Sequence, residues 1–189
     1  MIGVILAGGE SRRMGTDKAR VEVAGRPMVE WVAGALSPVC REVVLAGRTE
    51  PMAGCATVAD PGSPHRGPLA GLVAAMHRFP DEPLVVVAVD QPWVRTETLR
   101  RLGEATAGLA VVPVDGGVRQ TTCAAYPGAL VETAEAELAG SGSLQSLLDV
   151  TSFVPVVDWP TWGEDGRSWY SVDTVEAIDM GLDRYGPPS

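Results

Sequence analysis

The sequence predicts an α/β fold built on a mostly parallel sheet. Its 189 residues are enough for one domain, residues 1–189, with a real hydrophobic core. Strand-like and helix-like segments alternate along the chain, as they do in folds of this class. Residues 84–89 (LVVVAV) are apolar on both faces, which is typical of a central strand in a parallel sheet.

The other predicted strands are short apolar segments bounded by turn-forming residues. The first, residues 2–7, leads directly into two glycines. Later in the chain, Asp115, Gly116 and Gly117 indicate a hairpin turn between two strands. The full set of predicted strands is 2–7, 42–46, 56–59, 84–89, 109–114, 118–126 and 153–157.

The predicted helices are marked by their apolar spacing and by their start signals. Pro27 and Pro68 suit the first turns of two helices, because proline lacks the N–H group that a first turn leaves unpaired. Residues 159–169, which contain three tryptophans, are predicted to form a loop. The full set of predicted helices is 27–36, 68–79, 96–105, 130–138, 144–148 and 174–182.

Composition and charge exclude several classes of protein. Hydrophobic residues make up 46% of the chain and charged residues 21%, which argues against disorder and coiled coil. The net charge of −9 argues against nucleic-acid or anionic-membrane partners. No apolar run approaches the ~20 residues that span a bilayer, and Cys40, Cys55 and Cys123 form no CxxC pair. We therefore expect a cytoplasmic protein with reduced cysteines.

A cationic glycine turn follows the first predicted strand. Gly8 and Gly9 leave backbone N–H groups open to a ligand. Basic side chains follow within a few residues, and this combination suits a polyphosphate at the carboxyl end of a parallel strand. The alternative is an ordinary glycine turn with solvated charges. The basic residues are Arg12, Arg13, Lys18 and Arg20.

Residues 6–18 (LAGGESRRMGTDK) resemble the L-A-G-G-x-S-x-R-M-G-x-x-K signature of the molybdenum cofactor guanylyltransferase family. The resemblance implies a three-layer α/β/α, Rossmann-like nucleotide-diphospho-sugar transferase fold with a mixed sheet. It also implies that Arg13 and Lys18 hold the triphosphate of a nucleotide and act in catalysis, whereas Arg12 has no such counterpart. The resemblance further implies that the nucleotide contacts Leu6, Ala7, Gly8 and Gly9. Relatives that use CTP usually carry alanine where this chain has Gly8.

A second motif of the same family is similar to residues 65–72 (HRGPLAGL). Gly67 and Pro68 would open a helix whose N–H groups face the site, and Gly71 would let that helix pack close to the sheet. The resemblance implies that Asp60 contacts the nucleotide. The alternative for Asp60 is a turn former before a Pro-Gly pair.

Asp90 and Asp173 are the candidate metal ligands. Asp90 ends the strongest predicted strand and belongs to an Asp-x-Pro segment that resembles the family's Mg²⁺-binding motif, although it could simply start a proline turn. Mg²⁺ favours one or two carboxylates together with substrate phosphates. Asp173 resembles a second metal-binding position of related transferases, but it could equally be a helix N-cap with Glu176 completing a capping box.

Three features bear on the acceptor and on the nucleobase. Thr121 replaces a proline in a segment, residues 119–122, that faces the second substrate in the family. Leu45 stands where guanylyltransferases often have an asparagine that contacts the nucleotide. The tryptophans of residues 159–169 are predicted to pack the loop. Because a pterin is flat, Trp93 and this loop are alternative contacts for the acceptor.

The resemblance implies transfer of GMP from GTP to the terminal phosphate of molybdenum–molybdopterin, with release of pyrophosphate and with Mg²⁺ as cofactor. GTP and the molybdopterin cofactor would be the substrates, and enzymes that make or accept the cofactor would be transient partners. One alternative is a related transferase that uses CTP or another phosphorylated acceptor. The other is a catalytically inactive nucleotide-binding regulator.

Overall fold

A computed structural model of the chain describes residues 1–8, 17–58 and 67–189. The described strands are β1 (Ile2–Leu6), β2 (Glu22–Val23), β3 (Arg26–Pro27), β4 (Glu42–Ala46), β5 (Ala56–Val58), β6 (Pro83–Ala88), β7 (Ala110–Asp115), β8 (Val118–Arg119), β9 (Cys123–Pro127) and β10 (Phe153–Val156). The described α-helices are α1 (Met28–Leu36), α2 (Pro68–Arg78), α3 (Thr96–Glu104), α4 (Val131–Ala139), α5 (Leu144–Val150) and α6 (Val175–Tyr185).

The central sheet is mixed and mostly parallel, as predicted. Its strand order is β10-β7-β9-β6-β1-β4-β5, with β8 added to β7 as a hairpin. β1 lies parallel to both β4 and β6, and Leu6 is in register with Ala46 and Ala88. β9 runs antiparallel to β6 and β7. The carboxyl ends of β4, β1 and β6 therefore lie side by side, where ligands bind in open α/β sheets.

Alternating side chains of the strands feed two separate cores, which makes the fold three-layered. Val4 and Leu6 of β1 pack with α2, α4 and α5 on one face of the sheet. Ile5, between them in sequence, packs with α1 and α3 on the other face. Since successive side chains of a strand point to opposite faces, an uninterrupted apolar strand such as β1 must be covered on both sides. The predicted α/β/α arrangement is confirmed.

Helix α2 packs close to the sheet because of Gly71, as predicted. A Cβ atom at this position would lie 2.9 Å from Ala46 Cβ and 3.1 Å from Leu6 Cδ2. Pro68 occupies the first turn of the helix, and the preceding Gly67 has a φ of 81°. The close contact brings the N-terminus of α2 to the same sheet edge at which β1 and β4 end.

Helix α6 is attached to the chain just beyond β6 by Trp93. This side chain is 2% exposed, and its Nε1 donates to the carbonyl oxygen of Gly186 at 2.7 Å. The ring centroids of Trp93 and Tyr170 lie 5.6 Å apart in an edge-to-face arrangement. The Trp93 ring also lies so close to Gly181 that a Cβ atom at Gly181 would overlap it. Trp93 is thus a packing residue, and its burial gives no support to the alternative that it contacts the acceptor.

Two parts of the strand prediction differ from the structure. Residues 118–126 form two strands, because a turn closed by the Cys123 N–H and the Gln120 carbonyl at 3.0 Å interrupts them. The first strand continues the predicted hairpin with β7, whereas the second crosses to pair with β6. The small β2–β3 hairpin was not predicted. It turns at Ala24 and Gly25, both with positive φ.

The described helices include none that is long and apolar enough to cross a bilayer.

We expect Gly181→Ala to lower the melting temperature, because the added methyl group must displace the buried Trp93 ring. Overpacking of this kind lowers the free energy of unfolding by about 1–3 kcal/mol. For a chain of this size, each kcal/mol lowers the melting temperature by roughly 2–4 °C. The control is Gly34→Ala in α1, where the nearest atom to the new Cβ is Arg26 Nη2 at 3.5 Å. This exposed change should stabilise the helix by up to about 1 kcal/mol. Thermal unfolding of both variants measures the difference, and equal effects would contradict the packing described.

Candidate active site

A cavity of about 350 Å³ opens at the carboxyl ends of β1 and β6. The N-terminus of α2 closes one side of it, and the segment before α6 closes another. Its lining includes both apolar strand ends and charged groups, which suits a ligand with a flat body and an anionic part. The lining residues are Leu6, Ala7, Gly8, Asp17, Lys18, Ala19, Pro68, Ala88, Val89, Asp90, Thr122 and Ser171.

Lys18 joins two carboxylates at this cavity. Its Nζ lies 2.8 Å from Asp90 Oδ2 and 2.6 Å from Asp173 Oδ1. Lys18 and Asp90 each have 19% of their side chain exposed, and Asp173 has 53%. Three of the residues that the sequence singled out, far apart in the chain, are therefore brought into direct contact.

The two carboxylates converge because the backbone joins their segments. Asp90 lies two residues beyond β6, whose neighbour β1 leads into the glycine turn. The Val172 N–H donates to the Asp90 carbonyl oxygen at 2.8 Å. The strand-like segment before α6 thus runs alongside the end of β6, and this places Asp173 next to Lys18.

Asp173 is not the N-cap of the last helix. Thr174 is the cap, and its side-chain oxygen accepts from the Ala177 N–H at 3.2 Å. The capping pattern that the sequence offered is displaced by one residue, because the threonine hydroxyl can also accept a hydrogen bond from a free helix N–H. The Asp173 carboxylate is consequently available to Lys18, and the alternative of a purely capping role is wrong.

The charges at the site reinforce one another. Burial by itself would lower the pKa of Lys18, but hydrogen bonds to Asp173 and Asp90 outweigh it and raise that pKa above its usual value. The side chain therefore remains an ammonium group at neutral pH. A permanent cation next to two carboxylates forms a site that can exchange these partners for a ligand's phosphate oxygens.

A second ion pair lies behind Lys18 and was missed by the sequence analysis. Arg48 donates to Asp17 through its two terminal guanidinium nitrogens, with Nη1 to Oδ1 at 2.8 Å and Nη2 to Oδ2 at 2.6 Å. Arg48 follows β4 by two residues, so it begins at the same sheet edge as the cavity. Its position after a parallel strand was a signal for it, but its partner Asp17 lies 31 residues away.

Gly8 and Gly47 meet backbone to backbone at this edge. A Cβ on Gly8 would lie 2.8 Å from Gly47 Cα, and Gly47 itself has a φ of 81°. Ala7 also donates its N–H to the Ala46 carbonyl at 2.9 Å. The glycine turn after β1 therefore packs directly on the loop after β4, a contact that leaves no room for alanine at position 8.

The orientation of a further hydrogen-bonding group, Thr122, follows from its neighbour. The Ala88 N–H donates to Gln91 Oε1 at 3.1 Å, so the oxygen end of the Gln91 amide faces the backbone. Gln91 Nε2 then donates to Thr122 Oγ1 at 3.2 Å. Because this oxygen accepts from Gln91, the Thr122 hydroxyl can donate its own hydrogen into the cavity. Among residues 119–122, Thr122 lines the cavity, whereas Thr121 is buried.

Several predicted site residues lie outside the described part of the chain. These are Gly9, Arg12, Arg13 and Asp60, whose assigned roles stay predictions, and the start of the second motif, residues 65 and 66, also lies there. Leu45, by contrast, is described and fully buried in the core on the α1 and α3 face. A side chain at that position packs against α1 and does not line the cavity.

The tryptophan-rich segment packs as a loop, as predicted. Trp159 and Trp169 meet edge-on at 5.0 Å, and the Trp159 Nε1 donates to the Val114 carbonyl at 3.0 Å. The loop is anchored by the buried carboxylate of Glu164, which accepts from the Thr98 hydroxyl at 2.6 Å. These contacts use the two tryptophans for packing against the β7 hairpin, and the alternative that they contact the acceptor gains no support.

Sequence comparison places the chain among nucleotidyltransferases. Residues 3–155 match the MobA-like NTP transferase domain. A molybdenum cofactor guanylyltransferase of Cereibacter sphaeroides is 37% identical over 145 residues, which cover 74% of this chain and 75% of that protein. A protein of the same name from Shewanella amazonensis is 36% identical over 186 residues, which cover 94% and 93% of the two chains.

Solved structures share the fold. Molybdopterin-guanine dinucleotide biosynthesis protein A from Archaeoglobus fulgidus superposes with a TM-score of 0.80 at 24% identity, covering 97% of each chain. The 2-C-methyl-D-erythritol 4-phosphate cytidylyltransferase of Thermus thermophilus superposes with a TM-score of 0.70 at 17% identity, covering 95% and 96%. At these identities the likeness concerns the fold alone. The sequence match over most of the chain and the levels of identity show that this protein belongs to the MobA-like NTP transferase family.

Proposed function

We propose that the chain is a single-domain molybdenum cofactor guanylyltransferase, which moves GMP from GTP to the terminal phosphate of the molybdopterin cofactor and releases pyrophosphate. The observation that carries the proposal is the contact of Lys18 with Asp90 and Asp173 at the cavity. Relatives of the same name at 36–37% identity support the choice of substrates. Retention of a charged, open site argues against an inactive regulator.

In the proposed reaction an oxygen of the acceptor phosphate attacks the α-phosphorus of GTP. The bond from the α-phosphorus to the oxygen that bridges to the β-phosphate breaks, and pyrophosphate leaves with that oxygen. No covalent enzyme intermediate is needed. Catalysis then consists of alignment of the two phosphates and stabilisation of the negative charge on the leaving group.

Lys18 is proposed to supply positive charge to the triphosphate. Its ammonium group already sits at the mouth of the cavity, held by two carboxylates. We propose that Arg13 adds a second positive charge. The strand end formed by Leu6, Ala7 and Gly8 lines the cavity and is the proposed base site, with Gly9 and Asp60 as further contacts of the nucleotide.

Asp90 and Asp173 are the proposed holders of Mg²⁺. Their oxygens converge on a single cationic group, the Lys18 ammonium, so the two carboxylates are already arranged around a positive charge. Hard carboxylate oxygens completed by substrate phosphates are the ligand set that Mg²⁺ prefers. Among the described residues these two carboxylates belong to no cluster of three or more metal-binding side chains, and substrate oxygens are proposed to complete the ligand set. Bound there, Mg²⁺ would offset the charge of the triphosphate.

GTP rather than CTP is the proposed nucleotide because the residue at position 8 is glycine. The related CTP-using enzymes usually carry alanine at this position, and here a Cβ would lie 2.8 Å from Gly47 Cα.

We further propose transient contacts with enzymes that make or accept the cofactor. The three cysteines are free, which agrees with the proposed cytoplasmic location.

We expect GTP with Mg²⁺ to raise the melting temperature more than ATP, CTP or UTP does. A ligand at 100 times its dissociation constant stabilises the folded state by about 2.7 kcal/mol, or roughly 5–10 °C for a chain of this size. Each nucleotide is measured with and without Mg²⁺. A shift selective for CTP would favour the cytidylyl alternative, and no shift with any nucleotide would contradict the proposed site.

We expect Lys18→Ala to lower turnover by about 100-fold or more, since removal of one group that stabilises transition-state charge has effects of this size. Pyrophosphate release in the presence of GTP and the molybdopterin acceptor measures it. The matched control is Arg41→Ala, a surface arginine whose side chain is 60% exposed and pairs with Glu82 at 2.7 Å. Near-normal turnover in the Lys18 variant would contradict the assignment, provided both variants melt as cooperatively as the unaltered protein.

A further inference from the structure

Arg48 is a charged group next to the site that the proposed reaction does not use. It makes a two-pronged contact with Asp17, at 2.8 and 2.6 Å, and its side chain is 19% exposed. A planar guanidinium that meets both oxygens of a carboxylate fixes direction as well as distance. Arg48 is therefore suited to holding another segment of the chain in place.

The segment it holds is the turn that carries Lys18. Asp17 Oδ1 also accepts from the Ala19 N–H at 3.2 Å, and the Asp17 carbonyl accepts from the Arg20 N–H at 2.9 Å. Asp17 thus caps the 3₁₀ turn Lys18–Arg20 with the same carboxylate whose two oxygens both contact Arg48. Any rotation of the Asp17 carboxylate would move the start of this turn, and Lys18 is its first residue.

The other end of the contact is anchored in the sheet. Arg48 directly follows Gly47, whose Cα packs against Gly8. The carbonyl oxygen of Ala46, which precedes Gly47, accepts a hydrogen bond from the Ala7 N–H at 2.9 Å. A continuous path of contacts therefore runs from β1 and β4 through Arg48 and Asp17 to Lys18.

We infer that Arg48 is a positioning residue for nucleotidyl transfer, which acts by clamping Asp17 so that the Lys18 ammonium is held at the cavity. The inference rests on the proposed function. Arg48 is not among the residues that line the cavity, so its effect on a ligand would pass through Lys18.

The charge state of Asp17 supports the clamp. The hydrogen bond from Arg48, aided by its charge, lowers the pKa of Asp17 below its usual value of 3.8 despite partial burial. The carboxylate is therefore ionised at neutral pH, and the contact persists over the range in which an enzyme of this kind would be assayed.

A labelling experiment tests the clamp without any substrate. Lys18 is the only lysine of the chain, so an amine-reactive acetylating reagent can modify Lys18 and the N-terminal amine. We expect Arg48→Ala to raise the labelling rate of Lys18 by about tenfold relative to the N-terminal amine, as read by peptide mass spectrometry, because one charge-assisted anchor is lost. Arg48→Lys should give an intermediate rate, since an ammonium cannot make the two-pronged contact.

Two further variants keep the test decisive. Arg78→Ala removes a surface arginine that pairs with Glu42 at 3.1 Å, and it should leave Lys18 labelling unchanged. If Arg48→Ala does not fold, Asp17→Asn removes the charge of the partner at nearly constant volume, and it should raise labelling in the same way. Unchanged labelling in the folded Arg48 and Asp17 variants would overturn the inference.

Steady-state kinetics separate positioning from a merely structural role. We expect Arg48→Ala to lower kcat for GMP transfer about tenfold at a temperature well below its melting transition, with partial recovery in Arg48→Lys. A lower melting temperature with unchanged kcat and unchanged labelling would mean a structural role only and would overturn the inference. If labelling rises but the unaltered protein transfers no GMP, the proposed function fails and the effect of the clamp on Lys18 stands.

Discussion

The contact of the Lys18 ammonium with Asp90 and Asp173 is the interaction on which the rest of the site depends. It joins three segments: the turn after the glycine loop, the end of β6 and the approach to α6. Two carboxylates that converge on one point repel each other, and a cation between them offsets that repulsion. In the described structure that charge comes from the protein itself, and a ligand that enters must compete with it or replace it.

The fold serves this contact by bringing strand ends together. Parallel pairing of β4, β1 and β6 places three loops at one edge, and the Gly8–Gly47 approach locks two of them backbone to backbone. Trp93 fixes α6 to the chain just beyond Asp90. Arg48 then links the β4 loop to the turn of Lys18. Each of these contacts joins two segments at the cavity edge, and together they determine where the charged side chains lie.

Features set by neighbouring residues were predictable from the sequence, and features set by distant ones were not. The buried strands, the proline starts of helices and the close packing at Gly71 follow from local pattern. The Asp173 cap was misplaced because Thr174, one residue on, is also a residue type that caps helices. The pairing of Arg48 with Asp17 and the link from Gln91 to Thr122 each span 31 residues, and a single sequence does not show which partners meet. That Lys18 is the chain's only lysine was a visible signal that the motif analysis did not use.

The most direct test of the central claim observes Lys18 itself. Because the chain has one lysine, incorporation of isotope-labelled lysine gives a single side-chain ammonium signal in NMR, with no need for assignment. We expect this signal to move as GTP and Mg²⁺ are added and to saturate together with the rise in melting temperature. A signal that stays in place while GTP demonstrably binds would show that the nucleotide does not contact Lys18, and it would contradict the proposed site.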